Sequence, residues 1–196
     1  MPYVICGLGN PGEEYENTRH NTGRMALEHF RKKAGFPDWV KDKKLNALVS
    51  EVKIKKEKVK IICPETFMNN SGKSVAVLVK SKKTAEELIV VHDDLDLPLG
   101  AMKISFNRGS GGHRGVESVR RAIKTEAFVR LRIGISPSTP SGKPKKPSGD
   151  KKILDFIIGN FKPAELATLK KVLKRASEAL EMLVAEGRER AMGEYN

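Results

Sequence analysis

Residues 3–8 form an unbroken apolar run that stops at Asn10-Pro11-Gly12, the pattern of a buried strand closed by a turn. From Thr22 the period changes. Met25, Ala26, Leu27 and Phe30 recur at helical spacing as far as Lys33, and Gly35 closes the helix. Residues 45–54 and 59–63 are strand-like and joined through Lys55-Lys56-Glu57-Lys58, which predicts a hairpin with a lysine-rich tip. A helix is expected over residues 70–80, with Val75, Leu78 and Val79 turned inward. Residues 88–91 are continuously apolar, as in a strand buried on both faces. Residues 102–106 and 129–135 are two further strands, with a helix over 116–124 between them. The last element is the most regular: Pro163 stands at its start, Leu166, Leu169, Leu173, Ala176, Leu180 and Leu183 mark one face, and Gly187 ends it. Strands alternating with helices predict an α/β fold, a single-domain three-layer sandwich with a mixed, largely parallel central sheet flanked by helices. The 196 residues fit one domain, and no internal repeat is visible.

Residues 136–152 break the pattern. They hold four prolines, four serines, two glycines and five lysines, with no large apolar residue, which predicts a flexible basic loop. A solvated insertion without a role and a basic flap that touches phosphate are both open readings. Charge bears on that choice. Lys and Arg total 37 against 24 Asp and Glu, a formal net charge of +13. Such a surplus suits a polyanionic partner, because neutralised phosphates release their counterions; it also suits a lysine-rich surface that serves only solubility. Cys6 and Cys63 each sit in an apolar run, as buried, reduced strand residues do, and no disulfide framework or zinc site is suggested. The first apolar run is too short for a secretory signal and no run is long enough for a bilayer, so a cytoplasmic protein is expected.

Five segments carry candidate chemistry. Gly7-Leu8-Gly9-Asn10-Pro11-Gly12 has the spacing of a dinucleotide turn, but Pro11 and Glu13-Glu14-Tyr15-Glu16 stand where the pyrophosphate would need a helix start. Asn10 is still projected from a strand end. Thr18-Arg19-His20-Asn21 precedes a helix, and His20 has polar neighbours in Asn10, Tyr15, Asn17, Thr18 and Asn21, a setting for a general base of fixed tautomer. His29, within the helix, reads as structural or exposed. In Thr66-Phe67-Met68-Asn69-Asn70-Ser71-Gly72, Asn69, Asn70 or Ser71 is placed to cap the next helix, or a carboxamide to hold a water or a carbonyl. His92-Asp93-Asp94-Leu95-Asp96 follows the most buried strand, where α/β proteins bind ligands. A divalent metal is one reading, opposed by the alternation of strand side chains; an Asp that orients His20 is the more economical one. Gly109-Ser110-Gly111-Gly112-His113-Arg114-Gly115 is either a flexible connection or a helix start whose free amides bind phosphate.

Taken together, these segments resemble the bacterial-type peptidyl-tRNA hydrolase family. The likeness rests on Gly7 to Gly12 with Tyr15 and Thr18-Arg19-His20-Asn21, then Phe67-Met68-Asn69 with Ser71-Gly72, His92-Asp93 with Leu95-Asp96-Leu97-Pro98, Gly111-Gly112-His113, and Arg130-Leu131-Arg132-Ile133-Gly134-Ile135. Each motif is weak alone, but together they are specific, and they run in register from about residue 3 to residue 135.

The resemblance implies hydrolysis of the ester joining a peptide to the 3′ end of tRNA. It makes His20 the catalytic residue with Asp93 bonded to it, and Asn10 and Asn69 the groups that place water, peptide and terminal adenosine. Tyr15 and Met68 would form cleft wall, His113 and Arg114 would meet substrate, and Arg132 would grip tRNA phosphate. Three positions depart from the family: Arg114 replaces its usual Asn, its second phosphate-gripping Lys falls at Ser105 with Lys103 and Arg108 as substitutes, and Asp94 replaces a Glu. The partner implied is the acceptor arm and 3′ end of peptidyl-tRNA, with no membrane, no metal, no organic cofactor and a monomeric chain. A non-catalytic RNA-binding protein on the same fold is the alternative.

Overall fold

The structure, a computed structural model, describes residues 2–196. Seven strands form one sheet: β1 (Tyr3–Gly7), β2 (Val40–Asp42), β3 (Ala47–Ile54), β4 (Glu57–Pro64), β5 (Leu88–Pro98), β6 (Met102–Phe106) and β7 (Val129–Ser136), in the order β2-β3-β4-β1-β5-β7-β6. The four central strands β4, β1, β5 and β7 run parallel, and both margins are antiparallel. The expected mixed sheet is thus parallel through its centre; β3 and β4 are antiparallel because only Lys55 and Lys56 join them, too few residues for a crossover helix.

Strand alternation divides the core in two. Ile5, Ile89, Val91, Leu131 and Ile133 face α1 (Thr22–Lys33), α6 (Pro163–Glu186) and α7 (Arg188–Tyr195). Val4, Cys6, Ile62 and Val90 face α2 (Ser71–Leu78) and α4 (Arg114–Ile123), with Ala85 of α3 (Lys82–Glu86) in the same cluster. Both cysteines are buried and unpaired, and burial pushes the Cys63 thiol up to about 12, so neither is a nucleophile. His29 is structural: its Nδ1 meets Ser177 Oγ of α6 at 3.0 Å. Among the described residues no helix is long and apolar enough to cross a membrane.

Several elements differ from the sequence reading. β5 does not stop at Val91 but runs to Pro98, so the acidic segment lies within the strand, with a register shift between Asp94 and Pro98. Residues 150–152, assigned above to the basic loop, are instead the first turn of α5 (Asp150–Ile158). Beyond Gly187 the chain continues as α7.

The start of α1 sits on the sheet with no room for a side chain. A Cβ on Gly23 would lie 2.2 Å from Val91 O and 2.6 Å from the backbone of Leu8. This close approach seats the residues just before α1 above the ends of β1 and β5. Gly23→Ala is expected to cost about 3 kcal/mol, a fall in Tm of roughly 6–12 °C, measurable by thermal unfolding.

Candidate active site

A cleft of about 550 Å³ opens at the rim where β1 and β5 end. Asn10, His20, Met68, Asn69, Asp93, His113 and Arg114 line it, together with Phe67 and the apolar face of α5. The sheet explains the meeting of distant segments: Gly7 of β1 is in register with Val91 of β5, so the Asn10 loop and Asp93 emerge side by side. Asn21 then ties the loops together. Its Oδ1 accepts from Asn10 N (2.8 Å) and its Nδ2 donates to Asn10 O (2.9 Å). The turn carrying His20, a 3-10 helix over Arg19–Asn21, is further fixed by Thr22 Oγ1, which donates to Arg19 O at 2.7 Å.

Asp93 is the electrostatic centre. His20 Nδ1 lies 3.1 and 3.0 Å from its two carboxylate oxygens, and His113 Nε2 lies 2.9 Å from Oδ1. His113 Nδ1 accepts from Gly115 N and Val116 N, capping α4. That nitrogen must carry a lone pair, so His113 is neutral and its Nε2–H is the donor to Asp93. An ionised Asp93 likewise draws the His20 proton to Nδ1, which leaves Nε2 as the free base nitrogen on a ring lining the cleft. Burial opposes charge on Asp93, but His20 and His113 together hold its carboxyl well below the usual carboxylate range. For His20, burial lowers the pKa while the Asp93 charge and hydrogen bond raise it, with Arg114 opposing; the outcome is a value above the ordinary 6.5. His92 is buried behind this pair, its Nδ1 donating to Asp93 O (2.7 Å) and its Nε2 lacking a partner. Burial above all, with the Arg130 charge, holds the His92 pKa well below 6.5, so it is neutral.

The carboxamides are deployed differently from one another. Asn10 Oδ1 accepts from Met68 N at 2.8 Å, which leaves its NH₂ to the cleft. Asn69 is exposed on the cleft wall. Neither it nor Asn70 caps α2: Asn70 occupies the N-cap position without a side-chain bond, and Ser71 Oγ donates backward to Met68 O.

The structure bears on three sequence readings. The dinucleotide turn fails because a 3-10 turn over Glu13–Tyr15, not an α-helix, follows Gly12. The α4 N-terminus does not offer free amides to phosphate at Gly115 and Val116, since His113 satisfies both. His113, expected at the substrate, does line the cleft, with both ring nitrogens bonded within the protein. As for a metal, the nitrogens and oxygens of His20, Asp93 and His113 lie within 4.8 Å of one another. Asp93 already takes up a ring nitrogen of each histidine, and the remaining acids of the segment are paired elsewhere, Asp94 with Arg132 (2.6 Å) and Asp96 with Lys146 (2.6 Å).

The other expected residues lie around this centre. Tyr15 stands edge-on to Phe67, ring centroids 6.4 Å apart, and supports the wall. Lys103 and Arg132 are partners across β6 and β7, outside the cleft, with Arg132 also 3.4 Å from Ser105 Oγ; Lys103 and Arg108 are exposed. Ser105 is buried and so is no substitute for a phosphate-binding lysine. Sequence reasoning missed Phe67 and the α5 residues Ile153, Leu154, Ile157 and Ile158 as cleft wall. Their i, i+1, i+4, i+5 spacing was the signal available.

Comparison with known proteins agrees with this architecture. The sequence profile of the peptidyl-tRNA hydrolases matches residues 4–196. A peptidyl-tRNA hydrolase of Carboxydothermus hydrogenoformans is 40% identical over 195 residues, 99% of this chain and 98% of that protein. One from Brevibacillus brevis is 38% identical over 194 residues, covering 98% and 97%. The crystal structure of peptidyl-tRNA hydrolase from Acinetobacter baumannii superposes with a TM-score of 0.88 at 30% identity, over 100% of this chain and 94% of that one. The chain belongs to the peptidyl-tRNA hydrolase family.

Proposed function

We propose that this protein hydrolyses the ester between a peptide and the 3′ end of tRNA, with His20 as general base and Asp93 as its orienting partner. The observation that carries the reading is the buried Asp93 bonded to His20 Nδ1, which presents Nε2 as acceptor in a cleft. Water bonded to Nε2 gives up its proton as it attacks the ester carbonyl. The negative charge that develops on the carbonyl oxygen is met by the NH₂ groups of Asn10 and Asn69. Collapse of the tetrahedral adduct breaks the bond to the ribose oxygen, which takes the proton from the His20 imidazolium. The products are a peptide acid and tRNA with a free hydroxyl. Asp93 stabilises the imidazolium between the two proton transfers without itself being protonated.

The test is direct: purified protein incubated with N-acetylaminoacyl-tRNA should release free tRNA and the N-acetyl amino acid with multiple turnovers. Binding without turnover would instead favour a non-catalytic RNA-binding role. Lys103, Arg108 and Arg132 form the nearby basic surface, and we assign it to acceptor-arm phosphates; Arg114 reaches the substrate from the cleft edge. KM is therefore expected to rise about 10-fold between roughly 50 and 200 mM salt, as for about two neutralised phosphates. A KM independent of salt would remove tRNA from that surface. We place the enzyme in the cytoplasm, where translation supplies the substrate, acting as a monomer that brings every proposed catalytic group from one chain.

A further inference from the structure

We infer that Arg19 is a positioning residue that holds α5 over the cleft in fixed relation to His20; this rests on the reading of the cleft as the peptidyl-tRNA site. Helix α5 is weakly anchored by ordinary means. None of its nine residues is buried, and Leu154 and Ile158 are 44% and 42% exposed although they form cleft wall. Its attachment converges instead on the residue beside the base.

The Arg19 guanidinium carbon lies 4.4 Å from the Phe156 ring centroid and 5.4 Å from that of Phe161. Nη1 donates to Phe156 O in α5 (3.3 Å), and Nη2 donates to Glu165 Oε2 in the first turn of α6 (2.8 Å). Glu165 in turn accepts from Lys162 N at 2.7 Å, so the same carboxylate satisfies a free amide at the start of α6. The backbone repeats the connection: Arg19 N donates to Gly159 O, Phe161 N donates to Asn17 O, and Thr18 forms a bridge with Asn160. Gly159 admits the guanidinium, since a Cβ there would stand 3.1 Å from Nη1.

The energetics separate this from ordinary packing. Arg19 is 7% exposed and its Nε is buried without a partner. An apolar side chain would fill the space without that desolvation cost. What an arginine adds is a rigid planar fork that holds two partners at once, a backbone carbonyl in α5 and a carboxylate at the start of α6. The base and the apolar wall for the peptide are thus suspended from one turn. Arg19 acts through α5 and makes no contact with the proposed reacting atoms.

Two measurements test this, one of them independent of chemistry. In Arg19→Gln, amide hydrogens of residues 153–158 are expected to exchange about 10-fold or more faster, with the middle of α6 unchanged. KM for a peptidyl-tRNA with apolar residues at the peptide's C-terminal end should rise about 10-fold, against a much smaller change for N-acetylglycyl-tRNA. The pH midpoint of kcat should stay in place, because the His20–Asp93 pair is untouched. Glu165→Gln, which keeps a cap acceptor, should show the same pattern more weakly, and the double variant should equal Arg19→Gln alone. Unchanged exchange in α5, equal losses for both substrates, or additive effects would overturn the inference. Should the wild type fail to hydrolyse either substrate, the proposed function falls while the exchange measurement still reports on the anchor.

Discussion

His20→Ala is expected to lower kcat on peptidyl-tRNA by about 10²–10⁴-fold, the range supplied by a positioned general base, with tRNA affinity nearly unchanged. The split follows from where the groups sit. His20 is 7% exposed, within the turn before α1, and meets the cleft through one ring, whereas Lys103, Arg108 and Arg132 lie outside the cleft. Removing the imidazole deletes the proton acceptor but no cation. Glycine at Gly23 and the Asn21–Asn10 clamp hold the backbone at this turn, so the variant should keep its fold. Single-turnover release of tRNA, paired with a filter-binding measurement, reads both quantities. A variant with wild-type turnover would remove His20 from the mechanism.

The second large effect is at Asp93. Asp93→Asn should lower kcat by roughly 10²–10⁴-fold, because an asparagine NH₂ can donate to His20 Nδ1 and put the proton on the wrong nitrogen, as in the aspartate variants of serine protease triads. It should also move the pH midpoint of kcat/KM, and the sign is fixed by the opposing influences on His20. In the wild type, burial and Arg114 lower the imidazole pKa, while Asp93 raises it further than they lower it. The neutral base is the active form, so activity rises with pH through a midpoint above 6.5. Without the Asp93 charge only the lowering influences remain, and the midpoint should fall below 6.5. The linkage to stability runs the other way. A raised His20 pKa contributes stability that is complete below 6.5 and lost as pH rises through the folded value. The depressed Asp93 pKa contributes stability that is present above its ordinary value of 3.8 and lost in stronger acid.

The residues that make the site were legible in the sequence to different depths. His20 stood out through its polar neighbours, and Asp93 through its place after a buried apolar run. Their contact across 73 positions was not, because it depends on β1 and β5 being parallel neighbours, and nothing local specifies strand order. The residues alone suggested that one Asp of the segment orients His20; the resemblance to a known family singled out Asp93. α5 was overlooked for an opposite reason: it is nine residues long with no buried position, so it lacks the full apolar stripe that made α6 plain. His113 shows a third limit. Its sequence context marks a glycine-rich helix start, but only the folded chain brings its ring to cap α4 with one nitrogen and hold Asp93 with the other. The basic surplus pointed to an anionic partner, yet Arg132 is drawn onto Asp94, and Arg114 stands in the cleft where the family usually has an asparagine.

The claim that His20 is the base is tested most directly by following its titration and the reaction in the same protein. A ¹⁵N-NMR titration of the His20 ring, set beside single-turnover rates across pH, should give one shared midpoint above 6.5, with the proton on Nδ1 in the neutral form. A rate profile whose midpoint is independent of the His20 titration, or a neutral ring protonated on Nε2, would contradict it.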